Sequence, residues 1–252
     1  RLRGRGADTF AYDVRGGLQS ASLSGGPTLT YLDPVGERRV AESINGVMQR
    51  QFVYLDALTL AGELDGIGAT RSVFGHATYK GAPDFMQREG RTYRIISDDL
   101  GSPRLVIDCE SGAIAQKMRH DAFGRVLEDT SPRFQVFGFA GGLYDPDTKW
   151  VRFGVRDYDA TSGRWTAADP SLFEGSVSNL YEYANNDPVN FVDRNGLESS
   201  PPADSRNSGN QAGEQSPALM EIQQLQQQLQ IISTLMKCKN DASIAVISNI
   251  RS

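Results

Sequence analysis

The sequence YDPDTKWVRFGVRDYDATSGRWTAADP occupies residues 144–170, and SLFEGSVSNLYEYANNDPVNFVDRNGL continues it to Leu197. Apolar and polar side chains alternate over residues 151–158, which is the period of a β-strand. The alternation places Asp157 on the apolar face of that strand. Desolvation on such a face favours the protonated form of a carboxyl group, so the position is suited to acid–base chemistry.

The residues after this strand predict a pair of carboxylates. Residues 160–163 read Ala-Thr-Ser-Gly, which predicts a chain reversal, and residues 164–166 would return antiparallel. This hairpin brings Asp169 toward the strand that carries Asp157. Two carboxylates that share a site hold one proton between them, so one can activate water while the other protonates a leaving amine. Arg156 points to the opposite face of an ideal strand.

The 143 residues before this stretch carry a repeat. Aspartates recur at steps of 20, 23, 42 and 23 residues, and the 42-residue step is close to two periods. They are Asp13, Asp33, Asp56, Asp98 and Asp121. Such a period is typical of stacked repeats, and aspartate followed by glycine three places later is typical of a turn. Short β-prone runs flank the turns and predict hairpin strands at residues 28–31, 52–54, 93–96 and 105–107.

The repeat resembles the YD repeats of the Rhs family, which also occur in the C subunits of bacterial Tc toxins and in teneurins. The residues that carry the resemblance begin with Tyr12-Asp13-Val14-Arg15-Gly16 and Tyr31-Leu32-Asp33-Pro34-Val35-Gly36. Residues 144–197 resemble the Rhs repeat-associated core more specifically. The matching motifs run in order through Arg152-Phe153-Gly154-Val155-Arg156-Asp157-Tyr158-Asp159, Gly163-Arg164-Trp165, Asp169-Pro170, Asn179-Leu180-Tyr181-Glu182-Tyr183, Asn186-Asp187-Pro188-Val189-Asn190 and Asp193-Arg194-Asn195-Gly196-Leu197.

This resemblance implies a mainly β fold in which stacked YD-repeat hairpins form part of a spiralling shell, here the C-terminal portion of a longer protein. It also implies an intramolecular aspartyl protease that acts on its own chain and not on external substrates. Arg156, Asp157 and Asp169 carry the matching active positions, and Leu197–Glu198 is the expected scissile bond. The simpler interpretation of both aspartates is that they are turn and cap residues, like those of the repeats.

Three residues depart from the resembled pattern. Ala160 stands in place of a proline and Lys149 in place of a glycine, and both changes weaken turn preferences. Arg194 replaces the proline of the terminal motif, next to the expected cut, so it bears on the efficiency of cleavage.

The composition excludes several other functions. A net charge of −5 and a pI near 5.2 argue against nucleic-acid binding, which needs a basic surface. No apolar run reaches membrane-spanning length, so we expect no stable membrane insertion. His76 and His120 have no partners at metal-ligand spacing. Cys109 and Cys238 are expected to be buried or free thiols, with a bridge between them as the alternative. We therefore expect no metal and no organic cofactor.

The composition changes after Leu197. Residues 1–143 are predicted to form the YD-repeat strip, residues 144–197 the self-cleaving core, and residues 198–216 a linker rich in Ser, Pro, Asn and Gly. Residues 217–252 are predicted to form a short and mostly helical variable tail. Its apolar side chains step by three and four at Ile222, Leu225, Leu229, Ile232 and Met236.

Three functions remain open from the sequence. The first is a toxin shell that cleaves itself and releases its C-terminal segment. The second is a structural or adhesive shell segment that binds glycan or protein and is not cleaved, and the third is a carrier of a small membrane-active or interaction peptide. The resemblance implies the rest of the shell, a secretion-system spike or Tc B-type subunit and an immunity protein as partners. It also implies synthesis in the cytoplasm followed by secretion or delivery by a bacterial secretion system.

Overall fold

A computed structural model describes residues 1–34, 38–78, 81–170 and 179–202. Within these ranges the chain folds almost entirely as antiparallel β-structure, which confirms the predicted fold class. The same ranges contain no helix with the length and apolar character needed to cross a membrane. The predicted helical tail at residues 217–252 and most of the predicted linker lie outside the described residues.

The described part of the N-terminal region forms one sheet of thirteen strands, which we call the strip. Each strand pairs antiparallel with the next along the chain, so the strip is a continuous series of hairpins. The strands are β1 (Gly4–Arg5), β2 (Asp8–Tyr12), β3 (Leu18–Ser22), β4 (Thr28–Leu32), β5 (Ala41–Ile44), β6 (Val47–Tyr54), β7 (Leu60–Asp65), β8 (Thr70–Gly75), β9 (Phe85–Arg88), β10 (Arg91–Ser97), β11 (Pro103–Asp108), β12 (Ile114–His120) and β13 (Val126–Asp129).

The turns of the strip follow the chemistry that the repeat predicts. The Asp13 carboxylate accepts hydrogen bonds from the backbone N–H groups of Arg15, Gly16 and Gly17 at 2.7–2.9 Å. Asp98 and Asp121 cap the equivalent turns in the same way. These aspartates are therefore turn residues, as the simpler interpretation of the repeat held.

Four further strands form a second sheet, which with the loops that follow it is called the end-piece. They are β14 (Leu143–Asp145), β15 (Trp150–Phe153), β16 (Arg156–Asp159) and β17 (Arg164–Trp165), paired in that order. Short 3₁₀ turns lie at Phe139–Gly141 and Ala184–Asn186. The end-piece packs on the strip through Trp150, whose ring centroid lies 4.4 Å from that of Phe10 in β2.

The predicted single strand over residues 151–158 was wrong. The chain turns back at Gly154 and Val155, so Arg152 pairs with Asp157 and Phe153 pairs with Arg156. Directly paired residues share a face of the sheet, so Asp157 lies on the face of Arg152, opposite the face that continuous alternation predicts. Arg156 lies instead on the face of Phe153, which belongs to the aromatic core of the end-piece.

Candidate functional site

The predicted cut lies in a tight turn at residues 193–198, which we call the terminal turn. Oδ1 of Asp193 accepts the N–H groups of Leu197 and Glu198 at 3.0 and 3.2 Å. Oδ1 of Asn195 accepts the same two groups at 2.9 and 3.1 Å. Beyond the turn, Ser200 and Val192 exchange two backbone hydrogen bonds of 2.8 Å. The backbone around the predicted cut is therefore fixed from both sides.

Two glycines allow this turn to lie against the hairpin that carries Arg156. At Gly196, φ is +72° and an added Cβ would lie 2.5 Å from the Phe153 carbonyl oxygen. At Gly154, an added Cβ would lie 2.2 Å from the Asn195 carbonyl oxygen. Side chains at either position would therefore push the turn away. Gly196 is buried, but Leu197 is 41% exposed, so the leucine before the predicted cut lies at the protein surface.

Arg156 is the centre of the site. Its Nη2 lies 2.9 Å from Oδ2 of Asp169 and 3.2 Å from Oδ2 of Asp193, and its Nε donates a hydrogen bond to the Gly196 carbonyl oxygen. The guanidinium carbon lies 4.2 Å from the centre of the Trp165 ring. One buried cation thus holds two carboxylates and the backbone of the terminal turn.

The two carboxylates on Arg156 have different surroundings. The Asp193 side chain is 3% exposed and the Asp169 side chain is 17% exposed. Burial raises the pKa of Asp193, although Arg156 and the backbone N–H groups of the terminal turn oppose that rise. Burial also disfavours the charged form of Arg156 and so lowers its pKa, while the charges of Asp169 and Asp193 act in the opposite direction. The pKa of Asp193, beside the predicted cut, therefore lies above its ordinary value.

Asp157 does not join this group. Its Oδ1 lies 2.9 Å from Nη2 of Arg39 in the strip, and its Oδ2 lies 2.9 Å from Nη1 of Arg152. Arg152 also pairs with Asp33 of the strip at 2.6 Å. Different arginines thus hold the carboxylates of Asp157 and Asp169, which gives no support to the predicted proton shared between these two residues. The cause is the turn at residues 154–155, which changes the face to which Asp157 points.

Sequence reasoning did not assign a role to Asp193 or to Arg39. Asp193 had a usable signal, because it begins the terminal motif and lies four residues before Leu197, within the span of one turn. Arg39 had none, since it lies 118 residues from Asp157 and only the packing of the end-piece on the strip brings them together.

These features define a class of protein: a strip of sequential β-hairpins that carries a compact β end-piece, as in a YD-repeat shell. A family profile described as Teneurin YD-shell matches residues 2–189, and the chain belongs to this family. Teneurin-3 of Danio rerio is 31% identical over 209 residues, and teneurin-4 of Mus musculus is 34% identical over 200 residues. The alignments cover 76% and 75% of this chain but only 7% of each relative.

Solved structures of Tc toxins share the fold. The crystal structure of TcdB2-TccC3-Cdc42 matches with a TM-score of 0.59 at 21% identity, over 76% of this chain and 10% of that chain. The crystal structure of TcdB2-TccC3 without its hypervariable C-terminal region matches with a TM-score of 0.56 at 19% identity, over 77% and 10%. The resemblance to YD-repeat shells is thus confirmed, while the chain spans a small part of each relative.

Proposed function

We propose that this chain is the terminal part of a YD-repeat toxin shell that cuts its own backbone after Leu197 and releases the segment beginning at Glu198. The observation that carries the proposal is the convergence of Arg156, Asp169 and Asp193 on the turn that contains this bond. Two carboxylates of unequal burial on one guanidinium provide an acid and a base next to one peptide group.

In the proposed reaction Asp193 is the acid and Asp169 is the base. Asp169, the more accessible carboxylate, takes a proton from a water molecule, and the water oxygen adds to the carbonyl carbon of Leu197. The bond from that carbon to the Glu198 nitrogen then breaks, and Asp193 supplies the proton with which this nitrogen leaves as an amine. The Glu198 N–H donates to Oδ1 of Asp193 at 3.2 Å, so the carboxyl group lies beside the leaving nitrogen. Arg156 holds both carboxylates in register and neutralises the charge that the pair carries.

The peptide group between Gly196 and Leu197 is also held by the site residues. Arg156 donates to the Gly196 carbonyl oxygen, and the Leu197 nitrogen lies 3.0 Å from Oδ1 of Asp193. The resemblance implies cleavage after the leucine of the terminal motif, which is the next peptide bond. These contacts therefore serve to bind and position the segment that is cut. The N-terminal sequence of the released fragment shows which peptide bond is cut, Gly196–Leu197 or Leu197–Glu198.

A time course on freshly purified full-length chain tests the assignment of roles. We expect the unmodified chain to yield two fragments, and Asp169→Asn and Asp193→Asn each to remain in one piece. Asp187→Asn is the matched control, because Asp187 is a half-buried neighbour whose carboxylate accepts hydrogen bonds from the Asn190 side chain, and this chain should be cut normally. An unmodified chain that stays intact, or an Asp193→Asn chain cut at the normal rate, would contradict the proposal.

A shell segment that is not cleaved is the second candidate. The contacts of the terminal turn also suit a purely structural end cap, and a polar cleft of about 530 Å³ lies between the strip and the end-piece. Phe123, Arg164, Asn179, Glu182 and Asn186 are among its lining residues, a mixture of aromatic, amide and charged groups that suits a saccharide or a polar peptide.

The partners are proposed by analogy. The structural neighbours contain TcdB2 together with TccC3, and one of them was solved without a hypervariable C-terminal region. By analogy, residues 198–252 would be the released segment, acting as a small effector or interaction peptide. A B-type subunit or secretion-system spike, an immunity protein and delivery by a bacterial secretion system complete the proposal.

A further inference from the structure

Arg194 connects the terminal turn to the strip. Its side chain leaves the turn between Asp193 and Asn195, and its Nη2 donates a hydrogen bond of 3.1 Å to the Leu100 carbonyl oxygen. Leu100 lies in the turn between β10 and β11, 94 residues earlier in the chain. This contact ties the turn that contains the predicted cut to a rigid hairpin of the repeat region.

The strip provides a slot for this guanidinium at Gly81. A Cβ on Gly81 would lie 1.8 Å from Nη1 of Arg194 and 3.1 Å from the Ala140 carbonyl oxygen. Gly141 packs against the backbone of this glycine, because a Cβ there would lie 2.7 Å from the Gly81 carbonyl carbon. The guanidinium of Arg194 therefore occupies space that exists only because residue 81 has no side chain.

The neighbours of Arg194 are the two residues that hold the predicted cut. Asp193 and Asn195 each accept the N–H groups of Leu197 and Glu198, so the backbone between them determines where the scissile peptide lies. We infer that Arg194 is a positioning residue that anchors the terminal turn to the strip and so holds the peptide bond against Asp193. This inference rests on the proposed function for its consequence in cleavage, but the anchor itself can be measured without cleavage.

The contacts of Arg194 suggest a structural role for the residue that replaces the proline of the resembled motif. Proline would restrict this turn locally, since its ring fixes φ near −65°. Arg194 restricts the same turn from a distance, through a hydrogen bond and a shaped slot. Its presence is therefore expected to support the geometry of the cut, a point that the sequence alone left open.

Hydrogen–deuterium exchange tests the anchor in full-length chains that carry Asp169→Asn, so that all samples are uncut. We expect Arg194→Ala to increase exchange at the amides of Leu197 and Glu198, with strip amides unchanged, and Arg194→Lys to restore part of the protection. Gly81→Ala should act like Arg194→Ala because it fills the slot. Gly90→Ala is its matched control, since Gly90 has a similar φ of +78° against +89°, with nothing within 4 Å of an added Cβ.

The cleavage rate in the otherwise unmodified chain is the second readout. A misplacement of about 1 Å costs roughly 100-fold in rate, so Arg194→Ala should slow cleavage by about 10- to 100-fold and Arg194→Lys by less. Unchanged exchange at the two amides in Arg194→Ala, or equal exchange in Gly81→Ala and Gly90→Ala, would overturn the inference whether or not the chain cuts itself. An unmodified chain that never cuts would overturn the proposed function, and the exchange result alone would then decide on the anchor.

Discussion

Asp157 is predicted to stabilise the fold rather than to take part in cleavage, and the change Asp157→Asn tests this. The carboxylate is 1% exposed and lies 2.9 Å from each of two guanidinium groups, those of Arg39 and Arg152, which are 5% and 3% exposed. Asp157→Asn removes the charge that both arginines face and leaves Arg152 its ion pair with Asp33. Breaking a buried ion pair in this way costs about 3–5 kcal/mol, because a charge is left uncompensated.

Urea unfolding measures this cost. Trp150 and Trp165 are the two tryptophans of the chain and both lie in the end-piece, so their fluorescence reports on the docked region. All chains should carry Asp169→Asn to keep them uncut. Asp147→Asn is the matched control, because it removes a partly exposed partner of Arg133, where the expected cost is at most about 1 kcal/mol.

A double-mutant cycle with Arg39→Met isolates the contact between strip and end-piece. The coupling energy of Arg39 and Asp157 should reach about 1–3 kcal/mol, as expected for residues in one network. A loss of less than about 1 kcal/mol in Asp157→Asn, or no coupling to Arg39→Met, would refute the reasoning that this network docks the end-piece on the strip.

Three further predictions concern the site and the strip. Because burial raises the pKa of Asp193, its contribution to stability is complete below the unfolded carboxyl pKa of about 3.9 and is lost as the pH rises through the folded value. A pH series of unfolding should show this loss, and Asp193→Asn should flatten it. Cleavage should fall over the same rise through the folded value, because the acid Asp193 then loses its proton. Arg156→Lys should remove the separate Nε and Nη2 donors, which contact the Gly196 carbonyl oxygen and the two carboxylates, and slow cleavage by at least about tenfold, measured on gels. A normal rate would count against the central position of Arg156. Gly124→Ala should lower the unfolding free energy by about 1–3 kcal/mol more than Gly112→Ala. Both glycines have positive φ, but of the two only Gly124 would place a Cβ against the Phe139 ring, at 2.3 Å. Equal losses would show that φ strain alone decides.

The strip was predictable because its signals are local. An aspartate such as Asp13 caps its own turn through backbone groups two to four residues away, so spacing alone reveals the hairpins. The predicted strands at residues 28–31 and 93–96 correspond to β4 and β10, although the structure extends each of them. Local hydrogen bonding therefore determines both the repeat and its sequence pattern.

The site was only partly predictable because one two-residue turn changed its geometry. Alternation of apolar and polar residues continues through Gly154 and Val155, so the pattern does not distinguish a single strand from a tight hairpin. In the hairpin Arg156 shares the face of Phe153 and Asp157 lies on the opposite face, which is the reverse of what a single strand would give. Asp157 thereby meets Arg39 of the strip and Arg152 of its own sheet, and Arg156 meets Asp169 and the terminal turn.

The partner of Asp169 also depended on tertiary structure. Asp193 reaches Arg156 only because Gly154 and Gly196 allow the terminal turn to lie against the hairpin. No periodicity encodes that approach, although the two glycines are visible in the sequence. The residue types of the site were therefore accessible from sequence, and their pairing was not.

The intact mass of the freshly expressed full-length chain, with the N-terminal sequence of any fragment, tests the central claim most directly. The account predicts two species, one ending at Leu197 and one of 55 residues beginning at Glu198, and a single intact species for both Asp169→Asn and Asp193→Asn. An intact unmodified chain would contradict it, and so would an Asp193→Asn chain that still yields the fragment beginning at Glu198.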